Sequence, residues 1–254
     1  MRLSPDDEDT MRMNVGPAPA LAVTGWAGRS SIGLTRRRNE DAWGEQNGRI
    51  FVVADGMGGA EGGSRASDLS VSGFLTADPS QGWLQAMRHL NTTVHKTCTA
   101  EGLPSAGSTL VGLAIDGPRC ITISIGDSRI YRLRDGDLDL LTNDHNIRSL
   151  RFEEGLDPAE RDERGKPAAL TSYLGNPDSN QRIDVGTIAV HDGDRIMLCS
   201  DGVHGQVDPQ QLAALICLSN SSTTAADKVV AAADQAGGRD NATAVIIDME
   251  VARP

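Results

Sequence analysis

Aromatic residues are almost missing from this chain: three Trp, two Tyr and three Phe make up 3% of 254 residues. A core with so few rings has to be filled by Val, Ile, Leu and Ala, with 28 glycines available for tight turns. Cysteine is equally sparse. Cys98, Cys120, Cys199 and Cys217 are scattered, mostly inside apolar runs, and no two are spaced as CxxC. This argues against a disulfide framework or a zinc site and for buried, reduced thiols. No apolar run approaches the length of a membrane span. The N-terminus opens with Asp6-Asp7-Glu8-Asp9 and has no apolar centre, so it is not a secretory signal. Basic excess is lacking as well: 24 Lys and Arg face 35 Asp and Glu, a net charge of -11. A general binder of nucleic acid or of anionic membrane needs the opposite sign. No Pro/Ser linker, low-complexity tract or internal repeat divides the chain. The expectation is a disordered leader over residues 1–20, followed by a single domain over 21–254, monomeric and cytoplasmic.

What the chain does have is a stretch that organises the rest. Residues 50–54 (Ile-Phe-Val-Val-Ala) form an apolar, β-rich run that stops at Asp55 and enters Gly56-Met57-Gly58-Gly59-Ala60-Glu61-Gly62-Gly63. Such a run reads as a strand buried on both faces, which delivers Asp55 to a fixed place at the edge of a core. The glycines allow positive φ and close approach of something small. A buried carboxylate needs a partner. From this stretch alone, Asp55 is either a cap for a following helix or a ligand for a hard cation.

The remaining periodicities predict a strand over 21–26, helices over 64–75 and 83–98, and a four-stranded antiparallel meander over 109–115, 120–125, 129–133 and 138–141. Residues 143–166 are polar, charge-dense and without period, which predicts an irregular flap. Strands over 183–190, 195–199 and 242–251 and helices over 209–218 and 224–236 complete the pattern. Helices gathered in two groups around closely spaced strands predict an α+β fold with antiparallel sheets, not a doubly wound parallel one.

The ending in Asp recurs. Asp55-Gly56, Gly126-Asp127-Ser128, Ser200-Asp201-Gly202 and Arg239-Asp240-Asn241 each follow an apolar or glycine-rich run, and Glu40-Asp41 adds two more acids. One Asp-Gly is ordinary turn chemistry. Several carboxylates brought together repel one another unless cations sit between them. With oxygen ligands and no His/Cys cluster, the cation expected is Mg²⁺ or Mn²⁺. Two such ions can activate water and clamp a displacement at phosphorus. The chemistry also needs a fixed cation for the phosphoryl oxygens, and the planar fork of Arg36 is the candidate. Arg37 and Arg38 read as solvated neighbours, because adjacent residues of an extended segment point to opposite sides.

These residues, in order, resemble a known family. Arg36-x-x-Asn39-Glu40-Asp41, Asp55-Gly56-Met57-Gly58-Gly59, Gly107-Ser108-Thr109, Gly126-Asp127-Ser128-Arg129, Ser200-Asp201-Gly202 and Asp240-Asn241-x-Thr243 are similar to the motifs of the metal-dependent protein Ser/Thr phosphatases of type 2C (PPM). Met after the Asp-Gly is similar to bacterial members. The resemblance implies a four-layer αββα sandwich and a binuclear Mn²⁺ or Mg²⁺ centre. Asp55 would bridge the two ions, the Gly56 carbonyl would ligate one, and Asp201 and Asp240 the other. Glu40 and Asp41 would hold metal-bound waters, Arg36 would bind substrate phosphate, and Asn241 would orient the neighbouring ligand or the phosphate. Asp127, with Asp201, would support a third, weaker ion. The implied reaction is hydrolysis of phosphoserine or phosphothreonine by direct attack of a metal-bridging hydroxide, in signalling opposite a Ser/Thr kinase or its targets.

Three departures stand out. Met57 occupies the place where many eukaryotic relatives carry a His proposed as general acid, and a thioether cannot donate a proton. His145, in Asp144-His145-Asn146, reads as a structural hydrogen-bonder. The flap ends in Leu170-Thr171-Ser172, with Ser172 where an Arg is common, so substrate choice transfers least. The alternatives are a catalytically weak pseudophosphatase serving as a binding module, a phosphatase of a phosphorylated anti-sigma-factor antagonist, and a small-molecule phosphatase.

Overall fold

The computed structural model describes residues 20–59, 61–155 and 169–251. All but Ala20 of the expected leader, and residues 156–168 of the expected flap, lie outside the described residues. In chain order the strands and helices are β1 (Leu21–Ser31), β2 (Asp41–Gln46), β3 (Ile50–Met57), α1 (Gly62–Leu75), α2 (Trp83–Ala100), β4 (Gly107–Ser108), β5 (Leu110–Asp116), β6 (Arg119–Ile125), β7 (Arg129–Arg134) and β8 (Asp137–Leu140). They continue as α3 (Ile147–Glu153), β9 (Asp184–Ile188), β10 (Arg195–Cys199), α4 (Asp201–His204), α5 (Pro209–Cys217), α6 (Ser222–Gln235) and β11 (Ala242–Val251).

Two antiparallel sheets form, one in the order β1-β11-β10-β7-β8 and the other in the order β2-β3-β5-β6-β9, with β4 attached to β3. The period-2 alternation of a strand explains how they stack. Along β3, Phe51 and Val53 pack between the sheets, while Val52 and Ala54 face α1 and α2. Along β11, Val245, Ile247 and Met249 face the other sheet, while Ala244 and Ile246 meet α5 and α6. Strands buried on both faces read as continuous apolar runs, as residues 50–54 do. The result is a helix–sheet–sheet–helix sandwich with three apolar layers, as the sequence led us to expect.

The chain departs from the expected meander at one place. The hairpin β5–β6 belongs to the second sheet and the hairpin β7–β8 to the first, so the chain crosses between sheets at Gly126-Asp127-Ser128. Gly126 has φ of 99°, and a Cβ there would come within 2.6 Å of Thr109 Cγ2, so only glycine makes this crossing. Alternation and turn residues specify hairpins but not which sheet a hairpin joins.

Four elements escape the periodicities, the short β4 and α4 among them. β2 is an edge strand whose six residues are all half-buried, so it shows no clear alternation. α3 lies inside the segment expected to be irregular; its cap is Asn146, whose Oδ1 accepts from the Ser149 N–H at 3.0 Å. Of the cysteines, Cys98, Cys120 and Cys199 are buried, while Cys217 is exposed at the end of α5. Among the described residues no helix is long and apolar enough to cross a membrane.

Candidate active site

At one end of the sandwich the two sheets stop being apolar. In the second sheet, β2 and β3 pair so that Asp41 stands directly opposite Asp55. Two like charges in that position are destabilising unless something neutralises them. The surrounding backbone holds Asp55 in place. Its N–H donates to Thr109 Oγ1 at 3.0 Å, and its carbonyl accepts from the Thr109 N–H at 2.8 Å and from Ser108 Oγ at 3.1 Å. Gly56 follows, with its N–H on the Glu40 carbonyl at 3.1 Å. A Cβ on Gly56 would sit 2.0 Å from the Gly63 carbonyl oxygen, so α1 starts this close to the carboxylate only because the residue is glycine.

From the first sheet, β10 ends at Cys199 and Ser200 turns the chain into α4, whose first residue is Asp201. Ser200 ties the two sheets together: its hydroxyl donates to Asp41 Oδ2 at 2.7 Å and accepts from the Thr243 N–H at 3.0 Å. The Asp201 carboxyl lies near enough to that of Asp55 for the charge of one to act on the other. Asp240, just before β11, accepts from Arg36 Nη2 at 2.5 Å and from the Asn241 N–H at 2.8 Å. Asp127 arrives on the crossing between β6 and β7. Its carbonyl faces His204 Nε2 at 2.9 Å, one turn of α4 beyond Asp201.

The electrostatics follow from crowding. Burial, reinforced by the charges of Asp41 and Asp201, pushes the Asp55 carboxyl well above the usual carboxylate range. Burial lifts Asp41 to about 7, against the lowering effect of hydrogen bonds from Thr243 and Ser200, and lifts Asp127 to about 7 with help from Asp201 and Asp144. Asp201 is raised by burial and by Asp240. Each of these four residues is half-buried. Without a cation, the group relieves its repulsion by holding protons and by borrowing Arg36. Accordingly, no three His, Cys, Asp or Glu side chains converge as a ready ligand set among the described residues. Asp41 Oδ1 and Asp201 Oδ1 are buried with no hydrogen-bond partner, an unfavourable state that a cation would resolve. The donors are all oxygen, the set that suits Mg²⁺ or Mn²⁺.

These residues line a cleft of about 480 Å³, walled by Arg36, Glu40, Gly58, Gly59, Thr109 and Leu170 and floored by Asp55, Asp127, Asp201 and Asp240. The sequence pattern of the family Protein phosphatase 2C matches residues 34–235, nearly all the elements that carry the cleft. The chain belongs to this family. Over 91% of its length it is 30% identical to the serine/threonine protein phosphatase PstP of Mycobacterium tuberculosis, and it spans 46% of that protein. It is 28% identical over 87% of its length to the protein phosphatase PhpP of Streptococcus pneumoniae, of which it covers 95%. The crystal structure of the catalytic domain of PstP in complex with two manganese ions matches with a TM-score of 0.75 at 29% identity, covering 91% of this chain and 99% of that one.

The cleft therefore gathers Arg36, Glu40, Asp55, Gly56, Asp127, Asp201 and Asp240, all singled out in the sequence of this phosphatase-family chain. Asp41 sits beside it, behind Ser200. The Asn241 side chain braces backbone instead of reaching a ligand: its Oδ1 accepts from the Glu40 N–H at 2.8 Å, and its Nδ2 donates to the Ile32 and Arg38 carbonyls, each at 2.9 Å. His145 is the hydrogen-bonder expected. It is buried, its Nδ1 accepts from the Gly126 N–H at 3.3 Å, and its Nε2 donates to Asp184 Oδ2 at 3.2 Å. Burial outweighs Asp184 and keeps its pKa below the usual value. Sequence reasoning missed Ser200 and His204 as supports. His204 is held neutral by burial and by Arg129, which bring it down to about 4, so its Nε2–H donates to Asp127. Its only sequence signal is the one-turn spacing from Asp201.

Proposed function

We propose that the chain is a metal-dependent serine/threonine phosphoprotein phosphatase, with residues 21–254 as its catalytic unit. One observation carries this reading: acids from both sheets and one exposed arginine meet in a single cleft that opens to solvent. In this reading Asp55, the Gly56 carbonyl, Asp201 and Asp240 would hold two divalent ions. Asp127, with Asp201, holds a weaker third. The ions, Mn²⁺ or Mg²⁺, supply an activated water and charge neutralisation at phosphorus when bound.

The protein's own groups do the rest. Arg36 leaves Asp240 for the substrate, where its fork binds two phosphoryl oxygens and faces the charge that grows on them in the transition state. Glu40 and Asp41 orient water at the floor, with Asp41 steadied by the Ser200 hydroxyl. Met57 offers no proton, so the leaving alkoxide takes its proton from solvent or from a carboxyl of the cleft. The substrates are phosphorylated proteins, including a Ser/Thr kinase or its targets. The chain acts in this reading as a monomer.

The test is hydrolysis of p-nitrophenyl phosphate and of a phosphothreonine peptide with Mn²⁺, with EDTA and with Asp240→Ala. Turnover that needs the metal and disappears in the variant is expected. Turnover that survives both EDTA and the substitution overturns the assignment. Absence of all turnover in the Mn²⁺-loaded chain, with metal bound, returns the pseudophosphatase.

A further inference from the structure

Next in sequence to two residues of the cleft, Arg36 and Asp240, the chain carries further positive charge. Arg36 is followed by Arg37 and Arg38, and across the loop junction Arg239 precedes Asp240. All four are exposed. Arg36 pairs with Asp240, while the other three make no side-chain hydrogen bond or ion pair among the described residues. The expectation that Arg37 and Arg38 diverge rested on an extended segment. Instead, residues 33–35 form a turn and residues 37 and 38 are bends, so strand alternation does not sort these side chains to opposite sides.

The backbone beneath them is fixed. The Leu34 and Thr35 N–H groups donate to the Gly238 carbonyl at 2.7 and 3.2 Å, the Arg239 N–H donates to Gln206 Oε1 at 3.1 Å, and the Arg38 carbonyl is held by Asn241. On this frame Leu34 stands 76% exposed and Ile32 41% exposed. Several other arginines of this acidic chain find carboxylates, Arg29 with Asp227, Arg65 with Glu101, Arg129 with Asp144 and Arg134 with Asp194, while Arg49, Arg88 and Arg148 stand exposed on separate elements; here three such arginines belong to two joined loops. Three unneutralised arginines carried by two loops that are tied together at Gly238 make this surface locally positive, and an anionic partner laid over it is attracted.

We infer that Arg37, Arg38 and Arg239, with Leu34, form a docking rim for an acidic segment of the phosphoprotein, whose Asp and Glu side chains flank the phosphorylated residue held at Arg36. This rests on the phosphatase reading and adds a substrate class to it. Consecutive Cα atoms are about 3.8 Å apart. The rim therefore begins within one or two residues of the phosphate-binding arginine and selects positions close to the scissile phosphate. Each exposed pair contributes a factor of a few, and three together give a preference of about tenfold. The attraction is long-ranged and is screened by salt.

The experiment compares phosphothreonine peptides identical except for Glu, Gln or Lys at the flanking positions, using the Mn²⁺-loaded full chain and its Arg37→Gln/Arg38→Gln/Arg239→Gln variant. Expected are a kcat/KM about tenfold higher for the Glu than for the Gln peptide at low salt, expressed in KM, and the lowest value for the Lys peptide. The preference should shrink to about twofold or less in the variant and at 0.5 M salt. Turnover of p-nitrophenyl phosphate, which cannot reach the rim, should be the same in both proteins and reports an intact centre. Equal treatment of Glu and Gln peptides by the unaltered chain, or an undiminished preference in the variant, overturns the rim. Loss of p-nitrophenyl phosphate turnover in the unaltered chain counts against the phosphatase reading instead. The rim is then judged from binding of the same peptides by fluorescence anisotropy, where Glu over Gln supports it and equality overturns it.

Discussion

The same two sheets enclose two opposite interiors. In the middle, Phe51, Leu113, Ile130, Ile196, Leu198 and Val245 interdigitate without access to water. A few residues further along β3 and β10, Asp55 and Asp201 face each other with burial and repulsion against them. The first region stabilises the fold by roughly 2 kcal/mol per large side chain buried. The second spends part of that gain on holding like charges at fixed separation. A rigid apolar slab is what keeps the acidic end from relaxing apart, and the acidic end is what gives the slab a chemical use. Stability and function are thus carried by adjacent stretches of the same strands.

Substitutions that separate the two regions test this. The largest effect expected is from Asp55→Ala: a loss of metal-dependent turnover on the order of 10⁴-fold, about 5.5 kcal/mol, with thermal stability of the metal-free protein unchanged or raised. A variant that lost stability in parallel would mean that the acidic end also holds the fold. Next, Phe51→Ala should lower unfolding free energy by about 3–5 kcal/mol in a denaturant titration while the surviving folded fraction keeps its KM. A large change in KM at full folding would show the two regions to be one.

pH sharpens the contrast further. Asp41 and Asp127 titrate near 7 in the fold, against about 3.9 in an unfolded chain. The metal-free fold therefore binds more protons than the unfolded chain between these values. Its extra stability is complete below about pH 4 and is lost as pH rises through 7. Each of the two groups should cost metal-free protein about 2.7 kcal/mol between pH 5 and 8, read as a fall in Tm that Mn²⁺ reverses at pH 8 more than at pH 5. A Tm that rose with pH over this window would contradict the crowding. The smallest effect expected is from Arg36→Ala: KM for phosphopeptide up about tenfold, or 1.4 kcal/mol, with stability changed by less than 1 kcal/mol, because its pairing with Asp240 is half exposed to water.

The sandwich was legible where its strands are buried on both faces. The runs 50–54 (Ile-Phe-Val-Val-Ala), 196–199 (Ile-Met-Leu-Cys) and 244–247 (Ala-Val-Ile-Ile) are continuously apolar, as strands buried on both faces are. β2 was not legible, because an edge strand half-buried throughout has no contrast between its faces. The crossing at Gly126 was not legible either: the two hairpins obey the same local rules whether they share a sheet or not. At the site, each acid was visible because carboxylates at strand ends are costly and therefore rare. Ser200 and His204 were not, because a serine before an aspartate and a histidine one turn later are unremarkable until the fold brings Asp41 and Asp127 against them. Arg37 and Arg38 are exposed, as read from the sequence, but the extended segment assumed there does not form, since the chain bends at both residues.

Asn241 deserves a last word through what its amide leaves free. By gripping the main chain at Ile32, Arg38 and Glu40 it closes residues 32–40 into a loop held by contacts that do not use the side chains at 34, 37 and 38. The side chains at 34, 37 and 38 then behave like interchangeable type in a fixed frame. Recognition at the mouth can be rewritten by exchanging those letters, for an evolving gene or for an engineer, without disturbing the acids a few ångströms below.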